Sequence, residues 1–455
     1  MRIALIRPNM GDYRSGDAMP PLVMGILAAR ASEHEILFYD DRVEAVPENL
    51  DADLVAMSVE TFTARRAYEL AAHFRRQGMQ LVMGGYHPTF LPQEALAHAD
   101  AIIIGDAEGA WERLLADAEA GCLHRIYRGD NDAPMTQLRI DRSIFAGKPY
   151  APVDLVQYGR GCRFACDFCS IHGFYGHRVR VRPAADVQRE LEAIRETVGR
   201  NRLLFFVDDN LFSNRENLTA LLAAIRPLGL RWSCQISIDV ARDPKLLDGL
   251  AEAGCRYALI GFESLEPENL AQMKKRWNQV SGHYLDVVRA LHRRGIGIYG
   301  TFVFGYDRDT PETIRRSLDF ALEARLEIAN FNPLTPTPGS GLYQRLAQEK
   351  RLLSPQWWLD PKYRYGDPIF IPRAMSPKCW RRSVLRLSAV FTPGRPLPGA
   401  YWAATCRFPA FVRQSRLSLT LFPAAKFIAS RDVCSAPRKT CENYPDQADD
   451  RPPRA

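Results

Sequence analysis

The stretch that decides the fold runs Tyr158-Gly-Arg-Gly-Cys162-Arg-Phe-Ala-Cys166-Asp-Phe-Cys169-Ser170. Its cysteines are spaced C-x3-C-x2-C, and three such thiolates can hold three irons of a cubane (4Fe-4S) cluster. The fourth iron then has no protein ligand, and an open metal position is what a site needs to bind and activate a substrate. The alternatives are a zinc site or three unrelated cysteines. Structural zinc usually takes four protein ligands, often as two C-x2-C pairs, and no second pair is placed here to help.

Two further features of this stretch carry a family resemblance. Phe168 immediately precedes the third cysteine, and a strand-like run over 153–157 precedes the first. The combination resembles the signature of radical S-adenosylmethionine (SAM) enzymes. The resemblance implies that the open iron chelates the amino and carboxylate groups of SAM. It also implies that one electron, from a donor such as flavodoxin or ferredoxin, cleaves SAM to a 5'-deoxyadenosyl radical.

The composition is that of an ordinary globular protein. The 455 residues are 46% apolar and 25% charged, with a formal net charge of +7, and this length predicts two or three domains. No run of about 18 uncharged apolar residues predicts a membrane span. The N-terminus does not read as a signal peptide, and ten cysteines then indicate a reducing, cytoplasmic compartment.

Residues 1–135 alternate between strand and helix patterns. Near-continuous apolar runs are typical of parallel strands covered on both faces, and their alternation with helices predicts an α/β fold with an open, doubly wound, flavodoxin-like sheet. The predicted strands are 3–6, 35–39, 54–58, 81–83 and 101–104, and the predicted helices are 21–31, 64–77 and 91–98.

Ligands of such sheets bind at the carboxyl ends of the strands, where this chain carries glycine-rich loops. The segments 84–89 and 105–109, placed before the cysteine motif, resemble the cobalamin-binding domain of cobalamin-dependent radical SAM enzymes. The alternative is a domain that keeps the fold and binds nothing. The resemblance implies that cobalamin contacts Ser58, Gly84, Gly85, His87, Gly105 and Glu108.

The cobalt ligand is a separate question. Cobalamin domains of other enzymes carry an Asp-x-His-x-x-Gly motif after the first strand, whereas residues 11–17 of this chain contain no histidine. The resemblance therefore implies cobalt without a lower histidine ligand. His87 could act as a ligand, but a role as a loop residue before Pro88 is favoured.

Residues 148–345 repeat a strand followed by a helix. The six units predict a partial (β/α)6 barrel, because a full barrel needs eight, and this agrees with the barrel of the radical SAM family. The predicted strands are 153–157, 202–207, 231–239, 257–260, 298–304 and 328–334, and the predicted helices are 183–198, 214–228, 244–253, 266–294 and 310–324.

Polar residues collect where these strands end, which is the active face of β/α barrels. Each could instead be a helix cap or loop residue. The resemblance implies that residues 208–210 face SAM or substrate, that residues 261–264 contact SAM, and that two glycines allow close approach to its adenine. The run 273–278 also looks family-like, with a solvated basic helix face as an equal alternative. The residues expected at the site are Asp208, Asp209, Asn210, Ser237, Asp239, Gly261, Glu263, Ser264, Gly300, Gly305 and Asp307.

The C-terminal part divides into an expected helical cap over residues 346–435 and an expected disordered tail over 436–455. From 371 to 431 there are eleven Lys or Arg and no Asp or Glu, mixed with aromatics. This pattern indicates peripheral contact with the inner membrane surface or a cap with a basic outer face, and nucleic acid is less favoured. The pairs at 357–358 and 363–365 are candidates to close a substrate cavity, whereas Cys434 and Cys441 are insufficient for a second cluster.

These observations lead to a functional hypothesis. The chain resembles class B radical SAM methyltransferases, which implies methylation of an unactivated carbon of a small molecule, lipid-like or tetrapyrrole, with methylcobalamin as the donor. The alternatives are a non-methylating cobalamin-dependent oxidoreductase or cyclase and, less favoured, a non-catalytic cobalamin or iron–sulfur sensor.

Overall fold

The computed structural model describes residues 1–11, 13–136, 138–198, 202–281 and 283–390. Most of the basic stretch, the expected tail and the pair Cys434 and Cys441 therefore lie outside the described residues. Among the described residues, no helix is long and apolar enough to cross a membrane.

The first sheet has six parallel strands in the order β2-β1-β3-β4-β5-β6. Alternate side chains of β1 enter different core clusters, with Ile3 and Leu5 on one face and Ala4 and Ile6 on the other, which explains the continuous apolar runs. The sixth strand was not predicted, because it is three residues long and buries only Tyr127. The strands are β1 (Arg2–Arg7), β2 (Glu35–Asp40), β3 (Leu54–Ser58), β4 (Gln80–Gly84), β5 (Ala101–Ile104) and β6 (Ile126–Arg128).

Helices cover both faces of this sheet, and the doubly wound prediction is confirmed. The sequence missed two helices of this part, α3 and α5. The helices are α1 (Leu22–Ala29), α2 (Ala64–Arg76), α3 (Tyr86–Phe90), α4 (Pro92–Leu96) and α5 (Ala110–Glu119).

The second sheet has six parallel strands in the order β14-β13-β12-β11-β10-β7. Each strand pairs with its neighbours in sequence, and the two edge strands β7 and β14 do not pair with each other, so the predicted partial barrel is confirmed. A separate antiparallel pair, β8 with β9, precedes and follows the cysteine loop. The strands are β7 (Val153–Val156), β8 (Gly159–Arg160), β9 (Arg180–Val181), β10 (Leu203–Phe206), β11 (Arg231–Gln235), β12 (Cys255–Glu263), β13 (Gly297–Phe304) and β14 (Ile328–Pro333).

The helices of the barrel match the prediction, except that the helix over Ser170–Tyr175 was not predicted and that one predicted helix is interrupted. The single helix expected over 266–294 is two helices joined by a 3-10 segment, Arg276–Ser281. The helix breaks at Lys274, whose φ of 57° is left-handed, and the turn brings Lys275 into the interior. The helices are α6 (Ser170–Tyr175), α7 (Ala184–Val198), α8 (Arg215–Ile225), α9 (Pro244–Glu252), α10 (Pro267–Gln272), α11 (Tyr284–His292) and α12 (Pro311–Glu323).

The segment after the barrel packs onto its open edge. It contains α13 (Gly341–Gln348), a 3-10 turn at Trp357–Leu359 and α14 (Pro377–Val390), so its described part is less helical than expected. The fully buried Trp380 donates a hydrogen bond from Nε1 to the Phe304 carbonyl at 2.9 Å. The last described helix is thereby fixed to the end of β13.

Candidate active site

The three cysteines lie on the loop between β8 and α6, and each is partly exposed. Burial raises the pKa of Cys166 to about 11 and that of Cys169 to about 12. Thiols bind metal only as thiolates, so iron binding at this loop must release protons. None of the described His, Cys, Asp and Glu residues form a group of three that could share a single metal ion.

The two aspartates that follow β10 hold the backbone leading to the cysteines. Asp208 accepts hydrogen bonds from the amides of Tyr158, at 3.1 Å, and Gly159. Asp209 accepts from the Gly161 amide at 2.8 Å. Burial raises the pKa of Asp208 to about 7 and that of Asp209 to about 6. The family resemblance predicts that both face SAM or substrate, but their carboxylates are directed at the loop backbone instead.

Asn210 is the member of this group that contacts a cysteine. Its Nδ2 donates to Cys162 Sγ at 3.8 Å and to Ser237 Oγ at 3.1 Å, and its Oδ1 accepts from the Ser237 amide at 3.1 Å. A donor to a metal-binding sulfur orients that ligand and tunes its electron density. Asn210 and Ser237 thus form a polar support beside the first cysteine.

Glu263 forms a buried ion pair with Lys275, whose Nζ lies 2.6 Å from Glu263 Oε1. Glu263 is 6% exposed and Lys275 is 5% exposed. Lys275 also donates to the Gly261 carbonyl at 3.0 Å. A Cβ at Gly261 would lie 2.0 Å from Glu263 Oε1, so glycine makes room for the ion pair. Burial alone would lower the pKa of Lys275, but the charges of Glu263 and Cys166 raise it overall. The charge of Lys275 acts in the opposite direction to burial on the pKa of Cys166.

The run over 273–278 is not a solvated basic face. Lys275 and Asn278 point inward, and Asn278 donates to the carbonyls of Gly261 and Phe262 at 3.1 Å. The Trp277 ring stacks on Phe164 of the cysteine loop, with centroids 3.7 Å apart. The run therefore packs directly against that loop.

Other predicted residues are engaged by protein groups. Ser264 Oγ accepts from the Glu266 amide, Asp239 pairs with Arg163, and Asp307 pairs with Arg351 and Arg373. A Cβ at Gly300 would meet Leu326 at 2.6 Å, and one at Gly305, whose φ is 136°, would meet Phe370 at 2.8 Å. Protein side chains therefore fill the space beside these two glycines, where the family resemblance predicts adenine. The remaining predicted residue of the cysteine loop, Phe168, is half-buried against the core.

At the first sheet, the glycine pair after β4 has two different roles. Gly85 adopts a left-handed φ of 103°, and a Cβ there would lie 2.8 Å from the Val59 carbonyl. A Cβ at Gly84 would meet nothing closer than Ile103 at 3.7 Å, an ordinary contact. Protein packing does not require a glycine at 84, so its backbone leaves the strand end open to a ligand. Ser58 lies on the adjacent strand, paired in register with Gly84.

His87 is fully buried in α3 and does not face this edge. Its Nε2 lies 2.9 Å from Tyr68 Oη and 3.0 Å from Glu94 Oε1, and its Nδ1 lies 3.4 Å from Thr61 Oγ1. Trp358 donates from Nε1 to the same Glu94 oxygen at 3.0 Å. Both ring nitrogens have protein partners, so the expected cobalamin contact does not fit, and His87 instead joins the first sheet to the C-terminal segment.

The loop after β5 is also engaged. Glu108 forms an ion pair with Arg160 of the barrel at 2.6 Å. A Cβ at Gly105, whose φ is 83°, would lie 2.8 Å from Asn131 Oδ1. Arg160 lies two residues before Cys162 and so belongs to the carboxyl edge of the second sheet. Its ion pair with Glu108 is therefore a point at which the carboxyl edges of the two sheets meet.

Sequence reasoning missed several residues of this region. Asp167 accepts hydrogen bonds from Tyr306 Oη and, at 3.1 Å, from Arg345, which ties the cysteine loop to the end of the barrel. On β14, buried and half-buried residues alternate, and Phe331 stacks on Phe302 in the outer core. Asn330 and Asn332 consequently point to the inner face. The alternation of polar and apolar residues in Asn330-Phe-Asn332 is a sequence pattern that could have predicted this polar inner face.

The site has the donor chemistry that its expected cofactors need. Three thiols on one loop, a hydrogen-bond donor to Cys162 and the buried Lys275, whose charge acts on Cys166, suit an anionic iron–sulfur cluster. The open end of β4 at Gly84 suits a ligand at the first sheet.

Comparison with known proteins gives matches to both halves of the chain. Residues 156–321 match the family model for the radical SAM superfamily, and residues 23–115 match the B12 binding domain. Bacteriochlorophyllide d C-12(1)-methyltransferase of Chlorobaculum tepidum is 32% identical over 346 residues, covering 74% of this chain and 76% of that protein. Anaerobic magnesium-protoporphyrin IX monomethyl ester cyclase of Rubrivivax gelatinosus is 25% identical, covering 82% and 74%.

A solved structure has the same fold. The radical SAM methyltransferase TsrM of Kitasatospora setae, with cobalamin and a [4Fe-4S] cluster bound, superimposes with a TM-score of 0.65 at 16% identity, covering 88% of this chain and 92% of that one.

Proposed function

Because the chain belongs to the cobalamin-dependent radical SAM enzymes, whose cofactors are a 4Fe-4S cluster, SAM and cobalamin, we propose that it methylates an unactivated carbon of a tetrapyrrole. One observation carries the two-cofactor reaction: the cysteine loop and the glycine edge of the first sheet meet at the Glu108–Arg160 ion pair. The tetrapyrrole is supported by two relatives whose names specify such substrates, one a methyltransferase and the other a cyclase.

The residues that would hold the cofactors follow from the site. Cys162, Cys166 and Cys169 would hold the cluster, and the open strand ends at Ser58 and Gly84 would hold cobalamin. When bound, the cluster with SAM supplies the radical that removes a hydrogen atom from the substrate, and cobalamin supplies the methyl group.

The chain's own groups orient the cysteine loop. Asp208 and Asp209 fix its backbone through the amides that precede Cys162. Lys275 forms a buried ion pair with Glu263, and its charge opposes the effect of burial, which raises the pKa of Cys166. Pre-oriented charges of this kind need no rearrangement during reaction.

We assign substrate contact to the inner face of β13 and β14. Thr301 pairs in register with Asn330, and Val303 with Asn332, which places hydrogen-bonding side chains in two successive layers. Tyr299 precedes Thr301 by two residues on β13 and so shares its face. The Tyr365 ring, whose charge acts on Tyr299, lies 5.9 Å from Phe62 of the first sheet's domain. A flat, largely apolar molecule with polar substituents matches amides beside aromatic rings.

Two aspects of the cellular setting belong to the same proposal. The reaction needs an electron donor such as flavodoxin or ferredoxin. A cytoplasmic location with peripheral contact at the inner membrane surface would suit a sparingly soluble tetrapyrrole. The basic stretch that suggests this contact lies largely beyond residue 390.

The test uses the full chain, purified anaerobically with cobalamin and reconstituted with iron and sulfide. It is incubated with a reductant, SAM carrying a deuterated methyl group, and a bacteriochlorophyllide as the probe substrate. A hopanoid lipid serves as the competing probe. We expect 5'-deoxyadenosine together with a bacteriochlorophyllide that carries the deuterated methyl group.

Three outcomes would overturn parts of this proposal. Oxidised or rearranged tetrapyrrole without label would establish the non-methylating alternative. Labelled hopanoid with unlabelled tetrapyrrole would overturn the substrate class. A reduced, cluster-loaded chain that does not cleave SAM would support the sensor alternative and overturn the enzymatic proposal.

A further inference from the structure

A buried charged cluster joins the two sheets at the base of the cysteine loop. Asp106 Oδ2 lies 3.1 Å from Arg160 Nη1 and also contacts Arg180, while Tyr175 Oη donates to its Oδ1 at 3.0 Å. The side chains of Asp106 and Arg160 are 8% and 10% exposed. Glu108 adds a second carboxylate on Arg160 at 2.6 Å. We call these five residues the interdomain charge cluster.

The interdomain charge cluster stabilises the pairing of β8 with β9. Arg160 and Arg180 are directly opposite each other in the antiparallel pair, and like charges in that position destabilise a strand pair. Asp106 lies between them and comes from the other sheet. The two-residue strands β8 and β9 therefore depend on a carboxylate that the first sheet supplies.

The loop backbone continues this connection to the cysteines. Gly161 follows β8 with a left-handed φ of 90°, and a Cβ there would lie 2.0 Å from the Arg178 carbonyl. Cys162 comes next in the chain. A displacement of β8 consequently moves the first cysteine, because the one residue between them, Gly161, is packed against Arg178 and hydrogen-bonded to Asp209.

The loop that carries Asp106 is equally constrained. The Asp106 amide donates to Asn131 Oδ1 at 2.8 Å, and Asn131 Nδ2 donates to the Phe174 carbonyl of the barrel at 3.0 Å. A Cβ at Gly129 would lie 1.6 Å from the Asp106 carbonyl. Both sides of the interface are thus positioned by direct contacts.

We propose that Asp106 and Arg160 are positioning residues that fix the cysteine loop relative to the carboxyl edge of the first sheet, and so couple SAM cleavage to methyl transfer. The coupling rests on the proposed function, whereas the positioning rests on the contacts alone. Neither residue is assigned to touch a cofactor.

The test compares Asp106→Asn with Asp41→Asn in the full chain. Asp41 is a matched control, because it is also a buried carboxylate shared by two arginines, Arg14 and Arg66, but all three lie in the first sheet's domain. Amide hydrogen exchange is measured before cofactor loading. We expect Asp106→Asn to speed exchange over 159–162 and 180–182 by about tenfold or more, as for local opening, and Asp41→Asn to leave these segments unchanged.

The loaded enzyme then reports on coupling. We expect Asp106→Asn to change the electron paramagnetic resonance spectrum of the reduced cluster and to raise the ratio of deoxyadenosine to methylated product by about tenfold, because small misplacements of reacting groups have large kinetic effects. Asp106→Glu should restore part of the ratio.

The positioning role would be overturned if Asp106→Asn kept the hydrogen-exchange rates and the cluster spectrum of the wild-type chain. It would also be overturned if Asp41→Asn changed both measurements as much as Asp106→Asn does. A changed spectrum with an unchanged ratio would overturn the coupling alone. If the wild-type chain forms deoxyadenosine but no methylated product, the proposed methylation fails, and the exchange measurement still decides the positioning role.

Discussion

The carboxyl edges of the two sheets differ in how their motif residues are used. At the barrel edge, the cysteines stay partly exposed while neighbouring polar groups hold their loop. At the first sheet's edge, two motif residues that resembled cofactor contacts, His87 and Glu108, are themselves engaged by protein partners. At the end of β4, in contrast, a Cβ added at Gly84 would meet nothing closer than Ile103 at 3.7 Å.

This difference separates two kinds of motif residue. A thiol has few structural uses on a half-exposed loop, so cysteine spacing reports chemistry directly. Histidine and glutamate serve equally well in buried hydrogen-bond networks. Their position beside a ligand edge therefore does not determine which way they point.

The largest expected effect is at the barrel edge. Replacing Cys166 by Ser should remove iron and lower SAM cleavage by more than the roughly 10–100-fold loss typical of residues that only support a metal ligand. Iron, sulfide and deoxyadenosine are measured after reconstitution. Cys122→Ser is the control, because Cys122 is an exposed thiol far along the chain from this loop. Full iron content in Cys166→Ser would contradict the assignment.

The second effect concerns stability at the same edge. Lys275→Met leaves Glu263 as an unpaired buried charge, which should lower the free energy of unfolding by about 3–5 kcal/mol. Chemical denaturation of the metal-free chain measures this loss. Adding Glu263→Gln should recover much of it.

The neighbouring Lys274→Met is the matched control for this pair, because Lys274 is exposed. A surface change of this kind should shift the free energy of unfolding by less than about 0.5 kcal/mol. An equal loss in both single variants would argue against the buried pair as the cause.

The smallest effect tests the first sheet's edge. His87→Gln should lower the free energy of unfolding by about 1–3 kcal/mol, because it disturbs buried hydrogen bonds to Tyr68 and Glu94. Cobalamin affinity, measured by titration well below the melting temperature, should change by less than the roughly tenfold that 1.4 kcal/mol represents.

Gly84→Val provides the opposite pattern at the same edge. Its added Cβ would meet no protein atom closer than 3.7 Å, so we expect a small change in stability and a loss of cobalamin affinity greater than about tenfold. The comparison between the two edges would be wrong if His87→Gln lost affinity and Gly84→Val kept it.

Much of the architecture was predictable because burial imposes repeating patterns. Parallel strands covered on both faces need continuous apolar runs, and nine of the eleven predicted strands lie within two residues of those observed at both ends. The strand predicted over 231–239 ends at Gln235, and the strand predicted over 257–260 extends to Glu263. One prediction was wrong in detail, and some short elements were not predicted. The helix over 266–294 is interrupted at Lys274, and the three-residue β6 was too short to leave a pattern.

The sequence by itself determined the cysteine spacing, the strand–helix alternation and the glycine turns, because these are local and depend on few residues. Only the tertiary structure decided the direction of the polar side chains. Asp208 and Asp209 cap a loop that lies about 50 residues earlier, and Arg160 and Arg180 share a carboxylate from another sheet. Such partners are chosen by packing between distant segments, since a buried charge must find an opposite charge or a hydrogen bond wherever the fold places one.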